Sequence, residues 1–442
     1  MHADKTSYGD GGLWGGSAFR TIGSLLIMLA SPIFSIVAIH TCYFLDGSVQ
    51  ILMQQVLEKG LVNFLFDVWP TPFDPVAWKC ILSFMAFELM LMRVVPGKLF
   101  RGVATASGHI PEYIENGVPC YLISVATLLA LQYTGAFDAA IVYDKMGEMI
   151  SSMNIFSLAF CVMLSLKGIY FPSTRDSGST GNIVFDTFWG TELYPRILGW
   201  DVKEFTNCRF GMMYWQIGIL CYAFKQYALV GYISGSMLVS VAVQTVYIFK
   251  FFWWETGYFN SMDIQHDRAG YMLCWGCMVW VPSVYTLHTY FLTVHPVKLT
   301  LPATVLLIAL GCYFVWLNYD CDRQRKEFRA SGGKLKIWGK EAKYIVAKYT
   351  TEDGENRTSL LLVSGWWGVA RHFHYIPEIS AAILWSSGGV YSHALPFFYP
   401  FFLFLLLSDR AWRDDARCLD KYGEDWKKYQ AAVPYKIVPG VV

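Results

Sequence analysis

The sequence predicts an all-α fold: a polytopic transmembrane helical bundle of about ten helices whose C-terminal third faces the cytoplasm. Three observations lead there. Of 442 residues, 55% are hydrophobic and only 16% are charged, against about a quarter charged in soluble domains. Apolar windows of about 20 residues, enough to cross a bilayer, recur along most of the chain. Between Tyr319 and Thr350, nine basic residues (Arg323, Arg325, Lys326, Arg329, Lys334, Lys336, Lys340, Lys343 and Lys348) face four acids, an excess that is retained on the cytoplasmic side of a membrane.

The windows fall near residues 21–45, 76–95, 118–137, 150–171, 212–231, 235–254, 270–293 and 299–319. The first follows a cluster of Gly11, Gly12, Gly15 and Gly16 and then Arg20, with no small-residue cleavage site, so it reads as a span rather than a removed signal. A further apolar stretch, residues 359–407, is interrupted by Pro377, Gly388, Gly389 and Pro396. It accommodates two more segments, with room for one to be re-entrant. From Asp409 onward the pattern is polar and helical until Val433-Pro434. The expected division is residues 1–318 as membrane helices and residues 319–442 as a C-terminal region that includes the last membrane segments.

Several chemistries are excluded. A net charge of +1 argues against nucleic-acid binding. The 11 cysteines are mostly isolated in apolar stretches, so no disulfide is expected. Neither G-x-G-x-x-G nor G-x-x-x-x-G-K-[ST] occurs. Cys274 and Cys277 form one C-x-x-C without a second pair; strand spacing would put His372 and His374 on one face and helix spacing would put His374 near Glu378 instead, with no third convergent ligand in either case, so no metal is expected.

Four constellations carry chemistry. Arg325 and Arg329, four apart on a helix leaving the membrane, share a face, and their planar forks suit phosphate. A helix end snorkelling its cations to the interface has the same spacing. Arg410, Asp414, Cys418 and Tyr422 follow one another at four-residue steps, with Tyr429 two turns on, mixing cation, carboxylate, thiol and phenol along one stripe. A salt-bridged surface helix is the competing reading. Leu361 through Tyr375 passes abruptly from apolar residues into Gly365, Trp366, Trp367, Arg371, His372 and His374, offering stacking surface and donors for a planar ligand; aromatic belts enrich Trp at the same depth. Finally, Glu255 closes an apolar run, and Asp263 would share a helical face with His266 and Asp267. Acids near membrane depth are costly unless they are paired or line a cavity.

Gly181-Asn182 through Asp186, Gly190 through Arg196, Asp263 through Asp267, Ser364 through Tyr375 and Arg413 through Gly423 together resemble the sterol reductase family that includes the C14 reductases and the lamin B receptor. The likeness covers nearly the whole chain. It is strongest to the branch acting on the C7–C8 bond, and the wording of Asn318 through Arg325 and of Arg371 through Tyr375 is similar to that of plants and algae. The resemblance implies a multi-pass endoplasmic-reticulum enzyme that uses NADPH to saturate the C7–C8 double bond of Δ5,7-sterols, with the bilayer and other sterol-biosynthesis enzymes as partners. It implies a cofactor pocket at Arg325, Arg329, Leu362, Trp367, His374, Tyr375, Asp414, Cys418, Lys421, Tyr422 and Tyr429, with Arg410 adjacent. Arg325 stands where many relatives carry Lys, His374 where animal enzymes carry Asn, and Cys277 where relatives carry an acid.

A hydrocarbon ring alkene is too weakly polarised to accept hydride directly. Protonation must precede or accompany transfer, in a dry pocket that protects the carbocation, near aromatic faces that stabilise it. The candidate acids are Asp414 with Tyr429, or Glu255 with Asp263. The alternatives are Δ14-bond reduction, a non-catalytic sterol-binding scaffold, set aside because the chain begins close to its first span, and a transporter.

Overall fold

The computed structural model describes residues 17–105, 107–350, 356–389 and 393–441. The glycine cluster ahead of the first span lies outside them. The described chain is mostly helical, and six of its helices are long and apolar enough to cross a membrane: α1 (Ser17–Phe44, apolar from Arg20), α4 (Pro75–Val94), α5 (Gly117–Thr134), α7 (Met146–Tyr170), α10 (Gly235–Trp253) and α14 (Leu301–Ala330). Between α1 and α4 stand two short helices the apolar windows did not mark, α2 (Val49–Lys59) and α3 (Leu61–Val68). They part at Gly60, whose φ of 76° lies in the left-handed region. The start of α4 is set locally: Asp74 Oδ1 accepts from the amides of Val76 and Ala77 at 2.9 Å, and Pro75 takes the first helical position.

The hairpin β1 (Lys98–Arg101) with β2 (Glu112–Glu115) precedes α5; α6 (Ala140–Asp144) and α8 (Ile183–Trp189) flank α7; and a short pair, β3 (Arg196–Ile197) with β4 (Trp200–Asp201), follows. Two expected windows depart from straight spans. Residues 212–231 form α9 (Met212–Val230), entered through wide helical turns at Glu204–Gly211 and carrying the buried amides Gln216 and Gln226. Residues 270–293 run as a wide-turn helix, Tyr271–Tyr285, containing Pro282, then α13 (Leu287–Val294). Proline removes a helical donor and crowds the preceding turn, so a regular helix is not sustained there. Two short helices, α11 (Glu255–Phe259) and α12 (Met262–Gln265), lie between.

The chain forms two compact units. The first comprises Ser17–Thr304 with Ser386–Tyr399, and the second comprises Val305–Trp385 with Pro400–Val442. The second unit, like the first, adds short antiparallel pairs to the mostly helical fold. After α14 come β5 (Lys336–Ile337) paired with β6 (Lys340–Glu341), and β7 (Tyr344–Thr350) paired antiparallel with β8 (Asn356–Leu362). The apolar stretch from residue 359 therefore begins as a strand: Leu360, Leu361 and Leu362 face Val346, Ile345 and Tyr344 across the ladder, where β-branched and aromatic partners favour pairing. α15 (Trp366–Val369), α16 (Tyr375–Ser386), α17 (Phe398–Tyr422) and α18 (Glu424–Ala432) complete the chain. Gly423, at φ 53°, ends α17, so Tyr429 stands on a separate helix rather than further along the same stripe. All eleven cysteines are free, as their isolation predicted.

Candidate functional site

The second unit gathers three of the four constellations. On α14, Phe328 is fully buried and fixes the rotation of the helix. Arg323 is held by Asp320 and Glu327. Arg325 pairs with Asp322 at 3.0 Å and lays its guanidinium 4.1 Å above the centre of the Trp367 ring, a cation–π stack that keeps the fork in place. Arg329 is exposed, and among the described residues no carboxylate pairs with it. Its electrostatic neighbours are Arg325, Tyr422, Cys418 and Tyr429.

The Trp-Trp-His segment is fastened to the same helix. Trp366 Nε1 donates to Asp320 Oδ2 at 2.8 Å, and Trp367 Nε1 donates to the Cys321 carbonyl at 2.7 Å. Gly365 makes the approach: its φ is 63°, and a Cβ there would collide with Gln324 Oε1. Beyond α15 the chain turns, stacking Phe373 on Trp366 at 4.9 Å and placing His374 5.1 Å from Trp367. His372 stacks on Tyr375, and the two imidazoles stand 6.0 Å apart. Burial pushes His372 down to about 4, with Asp414 opposing and Arg325 adding, and pushes His374 down to about 3. Both rings are neutral near pH 7. His372 Nε2 lies 3.9 Å from Asp414 Oδ2 without a hydrogen bond, and the buried Nδ1 of His374 has no hydrogen-bond partner among the described residues. Buried polar atoms in that state call for an external partner.

The polar end of α17 and α18 close the group. Asp414 accepts from Arg417 at 2.6 Å. Burial opposes its ionisation, but Arg417, His372 and Arg325 outweigh it and hold the carboxyl below its ordinary range. Cys418 and Tyr422 pack on a cluster of Ala347, Leu361, Trp426, Tyr429 and Val433. The Tyr429 hydroxyl lies 3.5 Å from the Trp367 carbonyl, and burial pushes it up to about 12. Lys421 rests 4.2 Å over Tyr349. Leu362 is buried beside Trp367, and Arg410 acts electrostatically on Tyr375. Every cofactor residue read from the sequence thus lies in this one unit, spread over α14, β8, α15 and the turn after it, and α16 to α18.

Asp415 lies off the terminal stripe that the sequence singles out. It is a hub, 3.3 Å from Arg371 and 3.2 Å from Lys436, and it accepts from Trp426 Nε1 and Gln430 Nε2. Arg371 in turn donates to the carbonyls of Val433 and Pro434, and the amides of Arg371 and His372 donate to Tyr435 and Lys436. The tail is strapped to the histidine turn.

Glu255 and Asp263 belong to the first unit. Glu255 is fully buried, ion-paired with Arg209, and accepts from the Gly117 amide at 2.8 Å. Arg209, equally buried, also reaches Asn116 Oδ1 at 2.6 Å and Glu204 Oε1 at 3.3 Å. A lone arginine amid apolar residues was the missed signal, because such a charge must find buried partners. The shared helical face expected of Asp263, His266 and Asp267 does not form, since α12 ends at Gln265. Instead the carbonyls of Asp263, Ile264 and Asp267 converge on the buried Lys203 ammonium at 2.9, 2.7 and 2.8 Å.

A family described as the ergosterol biosynthesis ERG4/ERG24 family matches residues 14–442. A 7-dehydrocholesterol reductase of Arabidopsis thaliana is 49% identical over 96% of this chain and 98% of its own length. A protein of the same name from Xenopus laevis is 34% identical over 85% of this chain and 83% of its own. A Delta(14)-sterol reductase of Methylotuvimicrobium alcaliphilum is 35% identical, covering 78% of each chain.

Proposed function

The chain belongs to the ergosterol biosynthesis ERG4/ERG24 family of sterol reductases, and from that premise we propose that it reduces the C7–C8 double bond of Δ5,7-sterols, converting 7-dehydrocholesterol-type substrates to the corresponding Δ5-sterols at the expense of NADPH. Near-complete coverage by the 49% identical relative named 7-dehydrocholesterol reductase carries the choice of bond. The proposed setting is a multi-pass protein of about ten spans in the endoplasmic reticulum, beside other sterol-biosynthesis enzymes. Residues 1–318 would hold the sterol and residues 319–442 the coenzyme.

The residues fit a dinucleotide. Arg329, without a carboxylate partner among the described residues, and Arg325, held flat over Trp367, would grip its phosphates. The unpartnered Nδ1 of His374 would accept or donate one hydrogen bond to a ligand amide or hydroxyl, depending on tautomer. Tyr375, Arg410, Leu362, Cys418, Lys421 and Tyr422 would complete the walls. When bound, the reduced nicotinamide supplies the hydride. Asp414, kept ionised, orients neighbours rather than donating a proton. Tyr429 retains its proton through neutral pH and is the donor candidate in this unit. Glu255 is committed to Arg209 and acts structurally, which leaves Asp263 as the acid candidate of the first unit.

The test is direct. Protein purified into nanodiscs is given NADPH or NADH with a Δ5,7-sterol or a Δ14-sterol, and products are identified by mass spectrometry. Loss of the C7–C8 bond with NADPH is the expected result. Turnover of the Δ14-sterol alone would transfer the assignment to the activity named for the bacterial relative.

A further inference from the structure

The β5–β6 hairpin turns through two residues, Trp338 and Gly339, with φ values of 50° and 77°. Such turns select Asn or Gly, because both central positions are left-handed. A bulky aromatic there is an outlier that calls for a reason. The ring is not spent on burial: Trp338 is 60% exposed. It meets Trp366 edge-on at 5.0 Å, and Trp366 is tied to Asp320 of α14.

That tie fixes the hairpin's height. Asp320 lies ten residues before the end of α14, about 15 Å short of it at 1.5 Å per residue, and just after the apolar stretch that ends at Leu317. One turn before Asp320 stands Trp316, 52% exposed, with its ring 5.9 Å from the exposed Tyr313. The hairpin therefore folds back along α14, as Ile337 packing with Phe328 also shows, and returns Trp338 to the level where apolar helix gives way to polar. Lys336 and Lys340 flank the tip. Both are exposed, and neither has a carboxylate partner among the described residues.

We propose that the β5–β6 hairpin is an interfacial anchor, setting Trp338 among the headgroups of the bilayer crossed by α14, with Lys336 and Lys340 meeting lipid phosphates. Trp is favoured at this depth because its body is apolar and its N–H is polar, and basic residues beside it are drawn to anionic lipid. The bilayer is preferred over a protein partner because exposed aromatics stand both on α14, at Tyr313 and Trp316, and at the tip, and because the two charges next to the turn are basic, with one acid, Glu341, opposite Lys336 across the hairpin. This inference is independent of the reductase reading.

Full-length protein carrying Trp338→Cys is labelled with a thiol-reactive fluorophore in phosphatidylcholine nanodiscs, with or without phosphatidylserine. Unsubstituted protein supplies the background from native cysteines. Quenching by a headgroup-nitroxide lipid should be at least threefold stronger than for a probe at Lys348→Cys on β7, and iodide quenching correspondingly weaker. Lys336→Cys and Lys340→Cys lie outside the strained turn and report the same depth should Trp338→Cys fail to fold. Equal quenching at the tip and at residue 348 would overturn the anchor. Shielding from both quenchers would also overturn it, in favour of a protein partner or a second copy.

Discussion

At the scale of single residues, Arg329 and the two histidines make opposite demands. Among the described residues Arg329 has no carboxylate partner, so its removal should cost the protein little stability and the coenzyme a great deal. A hydrogen bond to a charged group is worth about 1.5–3 kcal/mol, and exposure puts Arg329 at the lower end. Arg329→Ala should therefore weaken NADPH binding roughly tenfold, with sterol binding retained, in parallel titrations of the two ligands. The histidines are bases whose folded values, about 4 for His372 and about 3 for His374, lie below the ordinary 6.5. Below pH 6.5 the unfolded chain takes up protons that the folded chain refuses, so stability falls with pH from about 6.5 toward 4. Between pH 7.5 and 5.5 each ring should cost about 1 kcal/mol. His372→Gln should flatten the fall in Tm over that interval, measured by thermal unfolding at both pH values.

At the scale of elements, glycine turns decide how the site is assembled. Gly365 and Gly423 both have positive φ, but a Cβ at Gly365 would strike Gln324, whereas Gly423 faces open space. Gly423→Ala should cost about 1 kcal/mol of backbone strain. Gly365→Ala adds the collision and threatens the bonds of Trp366 and Trp367 to α14, so it should lower Tm several-fold more and weaken NADPH binding as well. The spacing of Arg325 and Arg329 was legible because helical periodicity is local. The β7–β8 hairpin was not, because Leu360 to Val363 reads equally as the start of an apolar helix. Only the partner strand, with Ile345 and Val346 opposite, distinguishes the two.

At the scale of the whole molecule, buried charge is the costly component of an otherwise apolar chain. Arg209 serves Glu255, Glu204 and Asn116 at once. Removing it leaves carboxylates buried without compensation, a loss of about 3–5 kcal/mol. Arg209→Ala should give sharply reduced yield and Tm, and Arg209→Met combined with Glu255→Met should recover part of the loss, as read by thermal unfolding of the purified variants.

The sequence alone determined the membrane class, six of the spans, the thiol state of the cysteines and the family, because each rests on composition or on local order along the chain. It also singled out the arginine pair, the Trp-His segment and the terminal stripe as separate motifs. Only the tertiary structure decided that these share one unit, that Asp415 and Arg371 strap the tail to the histidine turn, and that Glu255 is already claimed by Arg209. Those outcomes depend on contacts between residues tens to hundreds of positions apart. No periodicity encodes which buried charge will meet which partner.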